Sequence, residues 1–159
     1  MTKIAITGHR GLPPDVTALV DAALQAEVGK RDDGRLTGIS CLADGPDSLF
    51  AQAVLERGGE LVVVVPAHEY RDSLPTEHHA VYDELRSAAT KVIELDRDSS
   101  DPEAHQAGSE RMLDEADELL AVWDGKPARG YGGTADVVAA ARERGIPVTV
   151  IWPDGATRD

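Results

Sequence analysis

Residues 61–65 read Leu-Val-Val-Val-Val, an apolar run with no polar residue interleaved. A strand wetted on one face alternates polar with apolar side chains. A run without alternation is covered on both faces, as in the middle of a parallel sheet. Parallel neighbours need crossovers, and the chain supplies them. Segments 3–7, 36–41, 92–95, 119–123 and 148–152 are also short and apolar, and helical spacing fills the gaps. The first helix starts at Pro14 or Asp15, carries Val16, Leu19, Val20, Ala23 and Leu24 on one side, and ends at Gly29. The second follows Pro46 with Leu49, Phe50, Ala53 and Val54; the third runs through Ala80, Val81, Leu85 and Ala88 after a polar loop at 68–75. A fourth runs from Pro102 towards Ala116, and a fifth occupies 135–144. This order predicts one Rossmann-type α/β domain over 1–153, a mostly parallel sheet of about six strands with helices on both faces, and a short tail at 154–159. In such a sheet all strand-to-helix turns leave at one edge, and ligands bind where the strand order reverses.

One of those turns is rich in glycine. Residues 125–134 read Gly-Lys-Pro-Ala-Arg-Gly-Tyr-Gly-Gly-Thr, between the fifth strand and the last helix. Gly132 and Gly133 lack the Cβ atoms that hold a ligand away from the backbone. Thr134 is placed to cap the helix, whose first amides and positive dipole end face the same space. The turn is either a cradle for a phosphate-bearing small molecule or an ordinary turn with a good cap. After the first strand, Gly8-His9-Arg10-Gly11 lacks the third glycine of the dinucleotide fingerprint. Arg10 can clasp a phosphate in a bidentate fashion or pair with an acidic neighbour on the surface. His9 either donates to a ligand or is solvated. Asp124 suits ribose hydroxyls or a base edge, or else bonds its own turn. Asp44, in Ala43-Asp44-Gly45-Pro46-Asp47, is a polar contact or a cap for the second helix. Trp123 and Tyr131 offer faces for a base, with core packing the alternative for Trp123.

Charge and cysteine content narrow the partners. The chain has 29 acidic and 16 basic residues, a formal charge of −13. Such a surface repels polyanions, so neither nucleic acid nor membrane is expected as a partner. The lone cysteine, Cys41, and the absence of a signal-peptide pattern before the first strand point to a cytoplasmic protein. His78 and His79 are adjacent and diverge on a helix, so no metal is expected. No cofactor is expected either.

Thr7-Gly8-His9-Arg10, the Ala43 to Asp47 turn, and Ala116-Asp117 with Ala121-Val122-Trp123-Asp124-Gly125 and Gly132-Gly133-Thr134 together resemble the SLOG superfamily. That group joins DprA and LOG proteins to YpsA-like nucleotide sensors. The resemblance spans nearly the whole domain. It implies a Rossmann-like fold, a pocket for nucleotides or nucleotide-derived ligands between the first and last glycine turns, and homodimers or higher oligomers. The amphipathic helix at 76–89 offers one contact face.

LOG enzymes release a base from nucleoside monophosphates and carry a glutamate three residues after the motif threonine. That position is Val137 here, with Asp136 one residue earlier and rotated by about 100°. The arginine that LOG proteins place four residues before a methionine matching Met112 is Gly108 here, and Arg111 is out of register. The leading expectation is therefore a module that binds or senses a nucleotide-derived phosphorylated molecule. Its candidate site is Gly8, His9, Arg10, Asp44, Asp124, Gly132, Gly133 and Thr134. The alternative is a nucleotide N-glycosidase, or a related deoxyribosyltransferase-like activity, with Asp136 as a weak catalytic candidate beside Asp124 or Asp44. A DprA-like single-stranded DNA binder conflicts with the acidic charge.

Overall fold

The structure, a computed structural model, describes residues 2–127 and 133–157. The strands are β1 (Thr2–Gly8), β2 (Leu36–Ser40), β3 (Glu60–Val65), β4 (Lys91–Glu94), β5 (Glu118–Val122) and β6 (Val148–Ile151). The helices are α1 (Pro14–Arg31), α2 (Pro46–Glu56), the single-turn α3 (Tyr70–Ser73), α4 (His79–Ser87), α5 (Pro102–Glu115) and α6 (Thr134–Glu143), with a 3-10 turn at Thr76–His78. The strands form one sheet in the order β4-β3-β2-β1-β5-β6, every pair parallel.

Successive side chains on a strand point to opposite faces, so β1 and β5 feed two layers. Ile4, Ile6, Leu120 and Val122 join Val16, Val20 and Leu24 of α1 and Phe50 and Val54 of α2. Ala5 and Leu119 join Met112 and Leu113 of α5 and Val137 and Ala141 of α6. The run at 61–65 is almost entirely buried, as a doubly covered strand requires.

Some local expectations give way to tertiary packing. α1 continues past Gly29 to Arg31, and the space that a Cβ would take at Gly29 is filled by the guanidinium of Arg57. Leu19 is 42% exposed, while Val28 replaces it in the buried stripe. The loop expected at 68–75 contains α3, which buries Tyr70, and Leu74 is buried just after it. In α4 the buried face is Tyr82 and Leu85, and Ala80 and Ala88 are exposed. Trp152 and Ala156, after β6, pack against the α1 layer. No helix among the described residues is long and apolar enough to cross a membrane.

Candidate functional site

The chain steps from β1 through β2 and β3 to β4, then returns past β1 to β5. The order therefore reverses between β1 and β5, whose carboxyl ends carry the first turn and the Asp124 loop. The two are joined directly. His9 donates its backbone N–H to the carbonyl of Val122 at 3.1 Å. Its Nε2 lies 3.2 Å from Asp124 Oδ1 and 3.2 Å from the Asp124 amide. Unprotonated, Nε2 accepts from that amide; protonated, it donates to the carboxylate. It serves one at a time. The His9 ring also meets Trp152 edge-on at 5.7 Å. His9 is thus buried, not solvated. Asp124 makes the bond to its own turn that was one of its two readings, accepting the Lys126 N–H at 2.9 Å. Trp123 is only partly buried; its indole N–H donates to the Lys126 carbonyl and its ring lies under Arg142.

Arg10 leans the other way, onto the turn after β2. Its Nε and Nη2 lie 2.8 and 2.7 Å from Asp44 Oδ1, in a pair that is open to solvent. Of the two readings for Arg10, the ion pair is the one formed here. Asp44 does not cap α2; Gly45 occupies that position at φ 91°, a conformation natural to glycine. Gly8 is a packing residue, since a Cβ there would meet Pro46 at 2.7 Å and Val122 at 3.0 Å.

At the start of α6 the cap is Gly133, in extended conformation, and Thr134 is the first helical residue, buried and without a capping bond. Asp136 stands in the first turn, where a negative charge suits the dipole. Gly132 and Tyr131 lie outside the described residues. Val137, which takes the place of the LOG glutamate, is built into the core. Gly108, in the place of the LOG arginine, packs on Pro66, 2.9 Å from where its Cβ would be.

Sequence reasoning missed a second group at this edge. Asp47 opens α2 two residues after the helix cap. Burial pushes its carboxyl up to about 7, with Asp44 adding to the rise and the Ala43 amide and Arg10 opposing it. Part of Asp47 still reaches solvent. His105, in the first turn of α5, lies 2.7 Å from Ser100 Oγ, which is 2.9 Å from Ser73 Oγ. Burial holds the His105 imidazole below its ordinary range, and the Arg10 charge adds to that. The signal available in sequence was an Asp at the first turn of a helix and a His at the first turn of another; neither says that the Arg10 charge acts on both. Among the described residues no group of three or more His, Cys, Asp or Glu could hold a metal ion.

No protein-family model matches the sequence, and no curated protein is similar to it in sequence. Solved structures are similar in fold. DNA processing protein A (DprA) from Streptococcus pneumoniae superposes with a TM-score of 0.68 at 18% identity, over 98% of this chain and 52% of that one. DprA from Helicobacter pylori, known for its single-stranded DNA binding mode, gives 0.70 at 18% identity, over 99% and 68%. TM1055, a structural genomics target, gives 0.60 at 21% identity, over 93% and 72%. The chain shares a Rossmann-like fold with these proteins and spans about half the length of the pneumococcal one. The expected exclusion of nucleic acid is corrected by this comparison, because the Helicobacter pylori protein binds single-stranded DNA on this same architecture. A total of −13 is a sum over the whole surface, whereas a polyanion feels the local arrangement of charge.

Proposed function

We propose that the carboxyl edge between β1 and β5 binds a nucleotide-derived phosphorylated small molecule, which the protein senses or carries. The observation that carries this reading is the reversal of strand order. In an open α/β sheet the usual ligand position lies at such a reversal, and the first-strand turn and the start of α6 are its proposed sides. The first amides of α6 have no intrahelical acceptors and suit a phosphate, with Gly133 and Thr134 beside it. Arg10 reaches the ligand by exchanging Asp44 for a phosphate oxygen, and Gly8, His9 and Asp124 hold the floor. Self-association through the helical face at 76–89 and a reducing, cytoplasmic setting for Cys41 belong to the same reading; light scattering at a monomer mass refutes the first.

The test is calorimetry with AMP and other nucleoside monophosphates. Arg10→Ala and Gly133→Val are expected to weaken binding by about tenfold or more, the scale of a charged hydrogen bond, with the fold intact by circular dichroism. Unchanged affinity in both variants removes the site. Glycosidic cleavage is the second reading, favoured by one observation: Asp47 holds its proton near neutral pH, as a general acid must. Release of free base from AMP, lost in Asp47→Asn, establishes it.

A further inference from the structure

Ser100 and His105 take no part in the nucleotide site above, yet the fold fixes both. Ser100 lies in the loop between β4 and α5, which is anchored on either side of it. Before it, the Arg97 and Asp98 carbonyls accept the His68 and Glu69 N–H groups at 2.7 and 3.0 Å. After it, Asp101 caps α5. Its side chain accepts the Ala104 N–H at 2.8 Å and its carbonyl the His105 N–H at 3.0 Å. Between these anchors Ser100 is only partly buried, so a small molecule can reach it. The ring of His105, in the first turn of α5, meets Tyr70 edge-on at 5.9 Å. The 2.7 Å between Ser100 Oγ and His105 Nε2 therefore joins two held residues.

The direction of the bond follows from counting protons. Ser73 Oγ gives its only proton to the Tyr70 carbonyl at 2.6 Å. Towards Ser100 Oγ, 2.9 Å away, it can then only accept. Ser100 thus has two acceptors for its own proton, Ser73 Oγ and His105 Nε2. An unprotonated imidazole nitrogen is the stronger base and here the nearer atom, so the proton points to Nε2 and the ring's own proton sits on Nδ1. Burial holds the imidazole below its ordinary range; the Arg10 charge adds to that and Asp101 opposes it. The ring is then uncharged at neutral pH, free to receive a proton. A hydroxyl directed into such a ring is what a nucleophile and its general base require. α5 begins two residues after Ser100, and the positive end of its dipole suits the negative charge that an attacked carbonyl oxygen acquires.

We propose that Ser100 and His105 form a nucleophile–base pair that hydrolyses small uncharged acyl esters, an activity separate from nucleotide binding. Ser100 Oγ bonds to the carbonyl carbon while its proton passes to Nε2. The adduct expels the alcohol, which leaves with that proton. Water then adds to the acyl-serine and gives a proton to Nε2; the carboxylic acid departs and Nε2 returns the proton to Ser100 Oγ. Charge selects the substrate. Asp72, Asp98 and Glu103, chain neighbours of Ser73, Ser100 and His105, are exposed and repel an anionic ester.

The experiment is hydrolysis of p-nitrophenyl acetate by the full chain, with peptide mass spectrometry after treatment with a fluorophosphonate. Wild type is expected to release a single equivalent of p-nitrophenolate in a burst, then to turn over slowly, and to carry the phosphonyl group on Ser100. Ser100→Ala should lose the burst and the label. His105→Gln should slow acylation by about a hundredfold, the lower end of what a general base contributes. The wild-type rate should rise with pH through an inflection below the ordinary imidazole range and level off above it. Ser99→Ala, at the exposed neighbour, should behave as wild type, and AMP affinity should be the same in Ser100→Ala. Wild type left unlabelled, or labelled elsewhere, overturns the pair, as does hydrolysis that survives Ser100→Ala or is indifferent to His105→Gln. An unlabelled wild type whose Ser100→Ala variant melts lower shows that the contact only ties the loops together.

Discussion

Asp47 shows how much a single residue's surroundings decide. An unfolded aspartate ionises near ~4, while the native carboxyl holds its proton up to about 7. Folding therefore takes up a proton between those values, and stability falls as pH rises through that window. Asp47→Asn keeps an acceptor for the Ala43 amide and removes the ionisation. It should raise the melting temperature at pH 8 and leave it nearly unchanged at pH 4, which a thermal scan at both values reads. Cys41 is the opposite kind of residue, one with no job at the surface. It is 6% exposed, and burial pushes its thiol well above the ordinary range, with the negative Asp47 adding to the effect. A thiol reagent at pH 8 should leave it unmodified in the native protein and label it fully in denaturant. Fast labelling of the folded chain contradicts this placement.

Between elements, the seat of α2 on the sheet controls the candidate site, because the Asp44 turn is the lead-in to that helix. The seat is tight. A Cβ at Gly38 in β2 would lie 2.7 Å from Val54 and 2.9 Å from Phe50. Gly38→Ala should cost about 1–3 kcal/mol through overpacking, measured by urea unfolding. A change smaller than that shows that α2 can shift outward without loss. The amino edge is held in part by a network around Arg31. Arg31 reaches Glu118 at 2.6 Å, Glu27 at 2.7 Å and Thr149 at 3.1 Å, linking α1 to β5 and β6. The hydrogen bond from Arg31 holds the Glu27 carboxyl below its ordinary range. Its contribution is present above the usual carboxylate pKa and is lost as pH falls.

For the whole molecule, the charge of −13 sets the electrostatic background. Like charges on a compact body repel, and salt relieves that repulsion. Raising ionic strength from ~10 to ~150 mM shortens the screening length to about 8 Å, and the melting temperature should rise over that range. A melting point that falls with salt would show that the attractive pairs, such as Arg31 with Glu118, outweigh the excess of negative charge.

The strands and most helices were legible because hydrophobic periodicity records burial on a residue's own element, and that information is local. Leu61 to Val65 declared a doubly covered strand without reference to any partner, and the repeated strand-helix alternation allowed few topologies besides a parallel sheet. The turns that carry candidate ligand contacts were legible for the same reason, as glycines and aspartates at strand ends. What those side chains do was settled across gaps in sequence. His9 turns to Asp124 and Arg10 to Asp44, so residues weighed as candidate ligand contacts already hold loops together. Thr134 lost its cap to Gly133 by one residue, a difference set by where α6 begins to pack. Gln106 carries no motif; only the tertiary structure shows that its Oε1 is buried without a partner among the described residues. Sequence determined the elements and their order, since apolar spacing is a property of each segment alone. Tertiary structure decided the partners, since a hydrogen bond depends on ångström-scale distances that no local pattern encodes.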